Sequence, residues 1–260
     1  MTRRSAYSDF WRGVGERFPD LGGAVSTRYY SDNERRLFTE HFPALDGLKI
    51  LKTDLWDEAK NTRILAWASR QGARTSGIDI SEPTVMLARS AFNGPRALQG
   101  SVGDVRDMPF RDATFDAVYS MGTIEHFDET ERAVREMVRV LKPGGRAIIG
   151  VPNRHDPFLR PLLATVLQAL GLYAYGYEKS YSRRALRAML ERAGFTVVAE
   201  TAILFIPGWL RMLDLACHTW CRPLTVVTGA LVRPFVFLDR HVPAVRRHGY
   251  LLATVVMKPV

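Results

Sequence analysis

The alternation of apolar and polar positions predicts a strand–helix–strand unit across residues 115–151. Residues 115–120 form an apolar run of β-favouring residues, which is typical of a short buried strand. After a polar loop, apolar residues recur at the spacing of one helical face, at Val134, Met137, Val138 and Leu141. Gly144 and Gly145 end that helix, and residues 147–151 form a second apolar strand. Such units build parallel sheets that bind ligands at the carboxyl ends of their strands.

The same periodicity places further elements on both sides of this unit. Residues 1–46 are predicted to be helical, with a break at Gly22-Gly23. Apolar helices that the sheet does not need are predicted at residues 162–170 and within residues 203–249. In the latter segment, no apolar run reaches about 18 residues without a charge or a proline, which argues against a membrane-spanning helix. Further strands are predicted at residues 48–53, 75–81, 96–101, 196–200 and 250–257.

The net charge of +9 on this 260-residue chain is concentrated in its carboxyl-terminal quarter. Residues 203–260 carry 7 basic and 2 acidic groups and are also the most apolar part of the chain. Nucleic-acid binders usually show a basic stripe with interleaved aromatics on a polar face, whereas here the basic residues punctuate apolar runs. The pattern therefore favours a membrane surface or an apolar partner over nucleic acid.

Cysteine usage and the amino terminus bear on the compartment and on metal binding. Cys217 and Cys221 are too few for a disulfide framework, which suits a reducing compartment. The amino terminus is basic, but no apolar run follows it, so it does not have the pattern of a secretory signal. We expect a cytoplasmic protein, with peripheral contact at the inner face of the membrane left open. No second pair of ligands follows the two cysteines and His218, so we predict no metal site.

Three segments of the chain occur in the order and at the spacing that is typical of a known protein family. They are GDVRDMPFRDATFDAVYS, EHF and VRVLKPGGRAIIGVPN. They resemble the second half of class I S-adenosylmethionine (SAM)-dependent methyltransferases, and above all the group that methylates quinones, lipids, sugars and other small molecules. The resemblance covers roughly residues 48–198 and resumes at the last strand. It implies a Rossmann-like α/β fold, with a doubly wound seven-stranded sheet whose last strand is antiparallel.

The resemblance also implies how the chain is organised. Residues 1–46 are expected to form a helical lid over the cofactor, and residues 47–202 with 250–260 to form the SAM-binding core. Residues 153–181 follow the fifth strand, where similar enzymes build a substrate roof. Residues 203–249 are an apolar, basic helical insertion. This insertion meets a membrane, the substrate, or a second subunit of a homodimer, and the sequence leaves the three alternatives open.

Several residues inherit cofactor-binding roles from the resemblance. Asp79, near the end of the second strand, is expected to accept the ribose hydroxyls, with Ile80 beside it. The competing role, a helix N-cap, fits Ser81 better. Asp104 is expected to accept the adenine amino group, with help from the Val105 backbone N–H, and a plain surface turn is the alternative. Other residues expected at the cofactor are a lid tyrosine (Tyr30 or Tyr29, unless both simply pack), Ser120, Met121 and Gly122.

The loop after the first strand departs from the family pattern. Similar enzymes carry an acidic residue and a Gly-x-Gly-x-Gly turn there, whose backbone N–H groups approach the cofactor. Residues 52–61 of this chain contain no glycine. Either Asp54, preceded by Thr53, meets the methionine ammonium in an atypical loop, or the site has decayed and the fold serves as a scaffold. We favour the first account because the other cofactor motifs are intact.

Three residues are candidates for catalysis. His126 follows the fourth strand and has an ordinary pKa of about 6.5, so it is a candidate general base. The competing interpretation, which we favour, is that His126 packs against or positions its loop. His155 and Tyr181, together with Glu178, are the polar groups of the substrate-roof segment, whose tyrosines suggest an aromatic-walled pocket.

The resemblance therefore implies an enzyme that transfers a methyl group from SAM to an O or N atom of a small acceptor, with S-adenosylhomocysteine as product. The apolar, basic insertion favours a hydrophobic, lipid-linked or natural-product acceptor. The alternative is a non-catalytic methyltransferase-like scaffold or partner subunit at a membrane surface. Enzymes that methylate amino groups of nucleic-acid bases carry an Asn/Asp-Pro-Pro-aromatic tetrad after the fourth strand, where this chain has Ser120-Met121-Gly122-Thr123. We therefore expect no nucleic-acid partner.

Overall fold

A seven-stranded sheet runs through the part of the chain that the computed structural model describes, residues 3–171, 173 and 175–260. Its strands are β1 (Lys49–Lys52), β2 (Arg74–Asp79), β3 (Gln99–Val102), β4 (Phe115–Met121), β5 (Leu141–Pro152), β6 (Thr196–Ile203) and β7 (Leu251–Met257). Their spatial order is β3-β2-β1-β4-β5-β7-β6. The pairs among β1 to β5 are parallel, whereas β7 is antiparallel to β5 and β6. The predicted fold class is therefore confirmed.

Helices cover both faces of this sheet. They are α1 (Arg3–Arg17), α2 (Val25–His41), α3 (Trp56–Lys60), α4 (Ile64–Arg70), α5 (Glu82–Ala91), α6 (Thr130–Val140), α7 (Arg160–Ala169), α8 (Arg183–Arg192), α9 (Gly208–Trp220) and α10 (Thr225–His241). Single 3₁₀ turns lie at Ile124–His126, Arg222–Leu224 and Pro243–Arg247. Residues of α2, α4 and α5 pack into one hydrophobic core, and residues of α6 and α8 pack into a second.

The two cores follow from the alternation of side chains along the central strands. On β4, Tyr119 belongs to the core with α2, and its neighbour Val118 belongs to the core with α6. Ile50 and Leu51 of β1 divide between the two cores in the same way. Because consecutive side chains of a strand point to opposite faces, an all-apolar strand requires helices on both sides of the sheet.

The element boundaries agree in most places with those predicted from the sequence, and one departure occurs where α6 ends and β5 begins. Ser81 and Ser182 cap α5 and α8, because each hydroxyl accepts a hydrogen bond from the backbone N–H three residues later, at 3.4 Å and 3.2 Å. Leu141, predicted to be the last apolar residue of a helix, instead begins β5. Helix α6 ends one residue earlier, and the chain then runs extended beside Phe115 of β4.

Two buried acids hold the insertion helices α9 and α10 against α2. Asp214 of α9 is fully buried, and its carboxylate accepts hydrogen bonds from the Ser26 backbone N–H at 2.8 Å and the Thr228 hydroxyl at 2.7 Å. Asp239 of α10 is also buried and accepts a hydrogen bond from Arg36 of α2 at 2.7 Å. These are the only acids among residues 203–260 of the sequence. Their burial leaves the exposed charge of the insertion positive.

We expect Asp214→Ala to lower the free energy of unfolding by about 3 kcal/mol, because it leaves the buried Ser26 N–H and Thr228 hydroxyl without their acceptor. Urea denaturation of the two proteins measures this difference. The matched control is Asp32→Ala, which removes an exposed pair with Arg240 and should cost less than about 1 kcal/mol. Equal effects of the two substitutions would show that Asp214 does not anchor the insertion.

Candidate active site

A cleft, whose empty space together with the adjoining open solvent is about 1200 Å³, lies at the carboxyl ends of the central parallel strands. Residues that follow three neighbouring strands line it: Asp54 after β1, Asp79 at the end of β2, and Gly122 after β4. This is the edge at which doubly wound sheets bind ligands. The cleft brings together most of the residues singled out in the sequence, namely Tyr30, Thr53, Asp54, Asp79, Ile80, Asp104, Val105, Met121, Gly122 and His126.

Three of the predicted site residues do not line this cleft. Ser120 is fully buried beneath it. Tyr181 borders a separate pocket beside α7 and α8, and its hydroxyl lies 3.3 Å from the Thr130 Oγ1. His155 lines neither pocket, and its backbone N–H donates to the Asn153 side chain at 3.0 Å. The backbone bridge between Asn153 and Tyr181 holds the roof segment in this position, so neither His155 nor Tyr181 enters the function proposed below.

The glycine-free loop is organised around the side chain of Lys52, which is fully buried. Its ammonium donates to the Asp54 Oδ1 at 3.0 Å and lies 3.6 Å from the Asp57 Oδ2. Burial alone would lower the pKa of this lysine, but the neighbouring carboxylates outweigh burial and raise it. Because an unpaired buried charge is strongly unfavourable, the loop must bring both acids to Lys52. Asp54 and Asp57 also line the cleft, so the pair presents acidic oxygens to a ligand.

Asp79 links this loop to the second strand. Its Oδ2 accepts a hydrogen bond from the Leu55 N–H at 2.9 Å, and its Oδ1 accepts one from the Ser81 N–H at 2.8 Å. Burial raises the pKa of Asp79 to about 6, and these two donors oppose the rise. Each carboxylate oxygen keeps a second lone-pair direction, so a diol can still bind. Leu55 also packs on Gly77, where an added Cβ would lie 2.2 Å from the leucine Cδ2.

The carboxylate of Asp104 is held by an arginine that the sequence analysis missed. The Arg106 guanidinium donates to both oxygens of Asp104, at 2.9 Å and 2.8 Å, and lies over the rings of Tyr7 and Phe127. The Arg106 backbone N–H donates to the same carboxylate at 2.9 Å. This contact forms an Asx turn, in which an aspartate carboxylate accepts a hydrogen bond from the backbone N–H two residues later. The aspartate two residues before Arg106 is the sequence signal for such a turn. Arg106 thus orients Asp104 at the cleft wall and joins it to α1.

The geometry of His126 suits a positioning role. Its Nδ1 lies 2.8 Å from the Tyr177 carbonyl oxygen and therefore carries the donated proton. The ring packs edge-on against Trp11 of α1, with 4.8 Å between ring centroids. Burial lowers the pKa of His126, which keeps the ring neutral near pH 7. The histidine thereby connects the turn after β4 to the roof segment and to α1.

Other polar groups in the cleft were not assigned from the sequence. Glu125 is buried, and burial together with nearby Glu178 raises the pKa of its carboxyl well above the ordinary range. Arg160 of α7 pairs with Glu178 at 2.8 Å and lies over the Tyr250 ring at 4.4 Å. The remaining walls are largely aromatic and come from helices and loops on several sides, with Trp11, Trp56, Phe127, Tyr173 and Tyr175 among them. Only their packing, which no local pattern encodes, brings these side chains together.

Comparison with known proteins agrees with this geometry. Residues 59–149 match the family described as a methyltransferase domain. The fold is shared with an S-adenosylmethionine-dependent methyltransferase from Mesorhizobium loti, with a TM-score of 0.59 at 18% sequence identity over 92% of this chain and 100% of that one. Residues 59–149 of this chain therefore form a methyltransferase domain. The three segments quoted from the sequence lie within or beside the matched region.

Two curated relatives show how far the sequence similarity extends. The probable tRNA methyltransferase 9B of Bos taurus is 43% identical over 89 residues, which is 31% of this chain and 18% of that protein. The O-methyltransferase cnsE of Penicillium expansum is 33% identical over 137 residues, or 50% of this chain and 47% of that protein. The chain thus spans less than half the length of either relative.

Across the described residues, no group of three or more His, Cys, Asp or Glu side chains has the arrangement to hold a metal ion. Cys217 is buried and Cys221 is exposed, and both thiols are free. His218, between them in sequence, packs against Gly23 instead.

The acidic cluster around Lys52 makes a prediction about pH. Glu58 is buried and accepts a hydrogen bond from the Leu65 N–H at 3.1 Å, and burial raises its pKa to about 7. Above about pH 4.5 the Glu58 carboxyl loses its proton in the unfolded chain, whereas in the folded chain it keeps the proton up to about pH 7. The contribution of Glu58 to stability therefore falls as the pH rises from about 4.5 to about 7, by about 3 kcal/mol in total.

Glu58→Gln keeps an acceptor for the Leu65 N–H but cannot ionise. We expect the free energy of unfolding of wild type to fall by about 3 kcal/mol more than that of the variant between about pH 4 and pH 8. Denaturant titrations across this range measure the difference, and the acid end serves as the internal reference because both side chains are neutral there. Parallel pH profiles would show that Glu58 ionises normally in the folded protein.

Proposed function

We propose that this protein transfers the methyl group of SAM to an O or N atom of a small, largely apolar acceptor. The observation that carries the proposal is the meeting of Asp54, Asp79 and Asp104, from three different strand ends, in one cleft. Methyl transfer from a sulfonium is an in-line displacement, so the protein has mainly to hold two reactants in alignment. A cleft built on the ends of rigid parallel strands suits that task.

The described residues fit the cofactor, with each assignment a part of the proposal. Asp79 would accept the ribose hydroxyls through its free lone pairs, and Asp104 with the Val105 N–H would bind the adenine. Asp54 would meet the methionine ammonium, because it presents acidic oxygens at the cleft wall although Lys52 lies beneath it. Further contacts would come from Tyr30, Thr53, Ile80, Met121 and Gly122, which line the same space. When bound, SAM supplies the electrophilic methyl group.

The aromatic walls support an apolar acceptor. Trp11, Trp56 and Tyr175 present flat apolar faces to the cleft, and Phe18 stacks on Tyr175 from behind at 5.4 Å between ring centroids. Glu125 is the polar group best suited to orient the acceptor. Its Oε2 has no hydrogen-bond partner among the residues that the structure describes, and the raised pKa keeps the carboxyl neutral, so it can donate to an oxygen or nitrogen. Neither the fold nor the charge pattern favours RNA, despite the similarity to a probable tRNA methyltransferase.

The second candidate function is a non-catalytic scaffold, and the glycine-free loop is the observation that favours it. Against it stands the order of that loop, since Lys52, Asp54 and Asp57 form ion pairs and Asp79 accepts from the Leu55 N–H. A loop that has lost its cofactor-binding function would not be expected to place the carboxylates of Asp54 and Asp57 at the wall of a cleft. The scaffold account and the enzyme account differ most directly in cofactor binding.

Calorimetric titration with SAM and S-adenosylhomocysteine tests the proposal. We expect micromolar binding to wild type and at least tenfold weaker binding to Asp79→Asn, because the amide cannot accept both ribose hydroxyls as the carboxylate can. The matched control, Asp112→Asn, changes an aspartate whose side chain is 78% exposed and should bind like wild type. A folded wild-type sample that binds neither compound would favour the scaffold.

We also propose that the insertion brings the cleft to an anionic membrane surface. Apolar side chains are exposed along α9 and α10, and Trp220 and Val226 are 81% and 78% exposed. Exposed Arg222 and Arg233 lie on the same segment, whose two acids are buried. Met212 and Leu215 of α9 line the cleft itself, so the exposed apolar surface continues into the acceptor space. No helix within the described ranges has the length and apolarity to cross a bilayer.

Sedimentation with phosphatidylglycerol–phosphatidylcholine vesicles tests this membrane contact. We expect the double variant Trp220→Asn/Val226→Asn to bind at least tenfold more weakly than wild type, because burial of the two side chains is worth about 2–3 kcal/mol. Val198→Asn, at a 45% exposed valine of β6, is the matched control and should bind like wild type. Wild-type protein that stays in the supernatant would contradict the membrane proposal without touching the enzymatic one.

A further inference from the structure

The insertion contributes a charged side chain to the wall of the cleft. Arg211 of α9 lines the cleft and is only 8% exposed. Its guanidinium lies over the ring of Tyr30 at 5.3 Å from the centroid, and its Nη1 donates to the Ser26 carbonyl oxygen at 3.2 Å. Both contacts are to α2, so α9 and the amino-terminal helices together fix the position of this cation.

Arg211 forms no ion pair with any carboxylate of the described residues. Asp214, one helical turn later, is occupied by the Ser26 N–H and the Thr228 hydroxyl. Arg160, the other arginine of the cleft wall, is by contrast paired with Glu178 at both of its terminal nitrogens. A largely buried cation without an anionic partner is unfavourable, and an anion bound in the cleft would offset this cost.

Acidic groups lie on the same wall as Arg211. Asp54 and Asp57 line the cleft near Tyr30. Burial raises the pKa of the Tyr30 phenol, the nearby acids raise it further, and Arg211 opposes the rise. The cleft lining thus contains two carboxylates and a guanidinium that all lie near one tyrosine. An α-amino acid head carries an ammonium and a carboxylate on a single carbon. Opposite charges that line the same cleft are complementary to such a zwitterion.

We propose that Arg211 binds the carboxylate of the methionine portion of the cofactor, while Asp54 receives the ammonium. The inference rests on the proposed SAM-dependent function and deepens it. It gives the insertion a role in cofactor binding, although the insertion lies outside residues 59–149, the region that matches the methyltransferase domain. In this account α9 completes the cofactor site, and a chain without the insertion would lack the group that neutralises the amino acid carboxylate.

Two ligands separate this role from a general structural one. S-adenosylhomocysteine carries the amino acid head, whereas 5′-methylthioadenosine has the same adenosine and sulfur without it. We expect Arg211→Met to bind S-adenosylhomocysteine with a Kd about 10- to 100-fold higher than that of wild type, as measured by calorimetry. The Kd for 5′-methylthioadenosine should change less than about threefold. Arg222→Met, at an exposed arginine of the same insertion, is the matched control and should leave both constants unchanged.

Each other outcome overturns the inference in a recognisable way. Equal losses for the two ligands would mean that Arg211 only supports the fold. An unchanged Kd for S-adenosylhomocysteine with a raised KM for an anionic acceptor would assign the arginine to the acceptor. Wild type that binds neither ligand would remove the proposed function itself. Should Arg211→Met unfold, Arg211→Lys keeps the charge but loses the two-pronged geometry. The Kd for S-adenosylhomocysteine must then still rise relative to the Kd for 5′-methylthioadenosine.

Discussion

The burial of one charge, the ammonium of Lys52 at the end of β1, sets the path of the chain around the cleft. The ammonium can stay charged in the interior only because the carboxylates of Asp54 and Asp57 lie 3.0 Å and 3.6 Å from it. Their approach fixes the loop without glycine, so the Leu55 N–H meets the Asp79 carboxylate at 2.9 Å. Similar enzymes bring backbone to the cofactor through glycines, and here charged side chains set the same loop.

The elements around the family core complete the cleft. Helices α1 and α2 supply Trp11 and Tyr30, and α9 supplies Arg211. Buried Asp214 ties α9 to the start of α2, so these additions form one connected layer. In our account the core strands hold the adenosine end of the cofactor, and this layer holds the amino acid end and the acceptor. Cofactor recognition and the apolar, basic surface would then reside in the same few helices.

Local pattern predicted what depends on neighbours in sequence. The alternation along β4 and the Ser81 cap gave correct elements, and the strand-end positions brought Asp79 and Asp104 to one cleft. Packing decided the rest. Arg211 stood in the sequence as an interruption of an apolar run, and only the contact of α9 with α2 turns it into a cleft residue. Tyr181 lies in the expected roof segment, yet its strand-like bridge to Asn153 carries it outside the cleft wall.

A crystal structure of the protein with S-adenosylhomocysteine tests the central claim most directly. The account predicts density in the cleft, with the ribose hydroxyls on the Asp79 carboxylate and the loop of Lys52 unchanged. The amino acid head should lie between Asp54 and Arg211. An empty cleft in crystals grown at saturating ligand, or a ligand bound with its ribose away from Asp79, would contradict the claim that this glycine-free loop forms a working cofactor site.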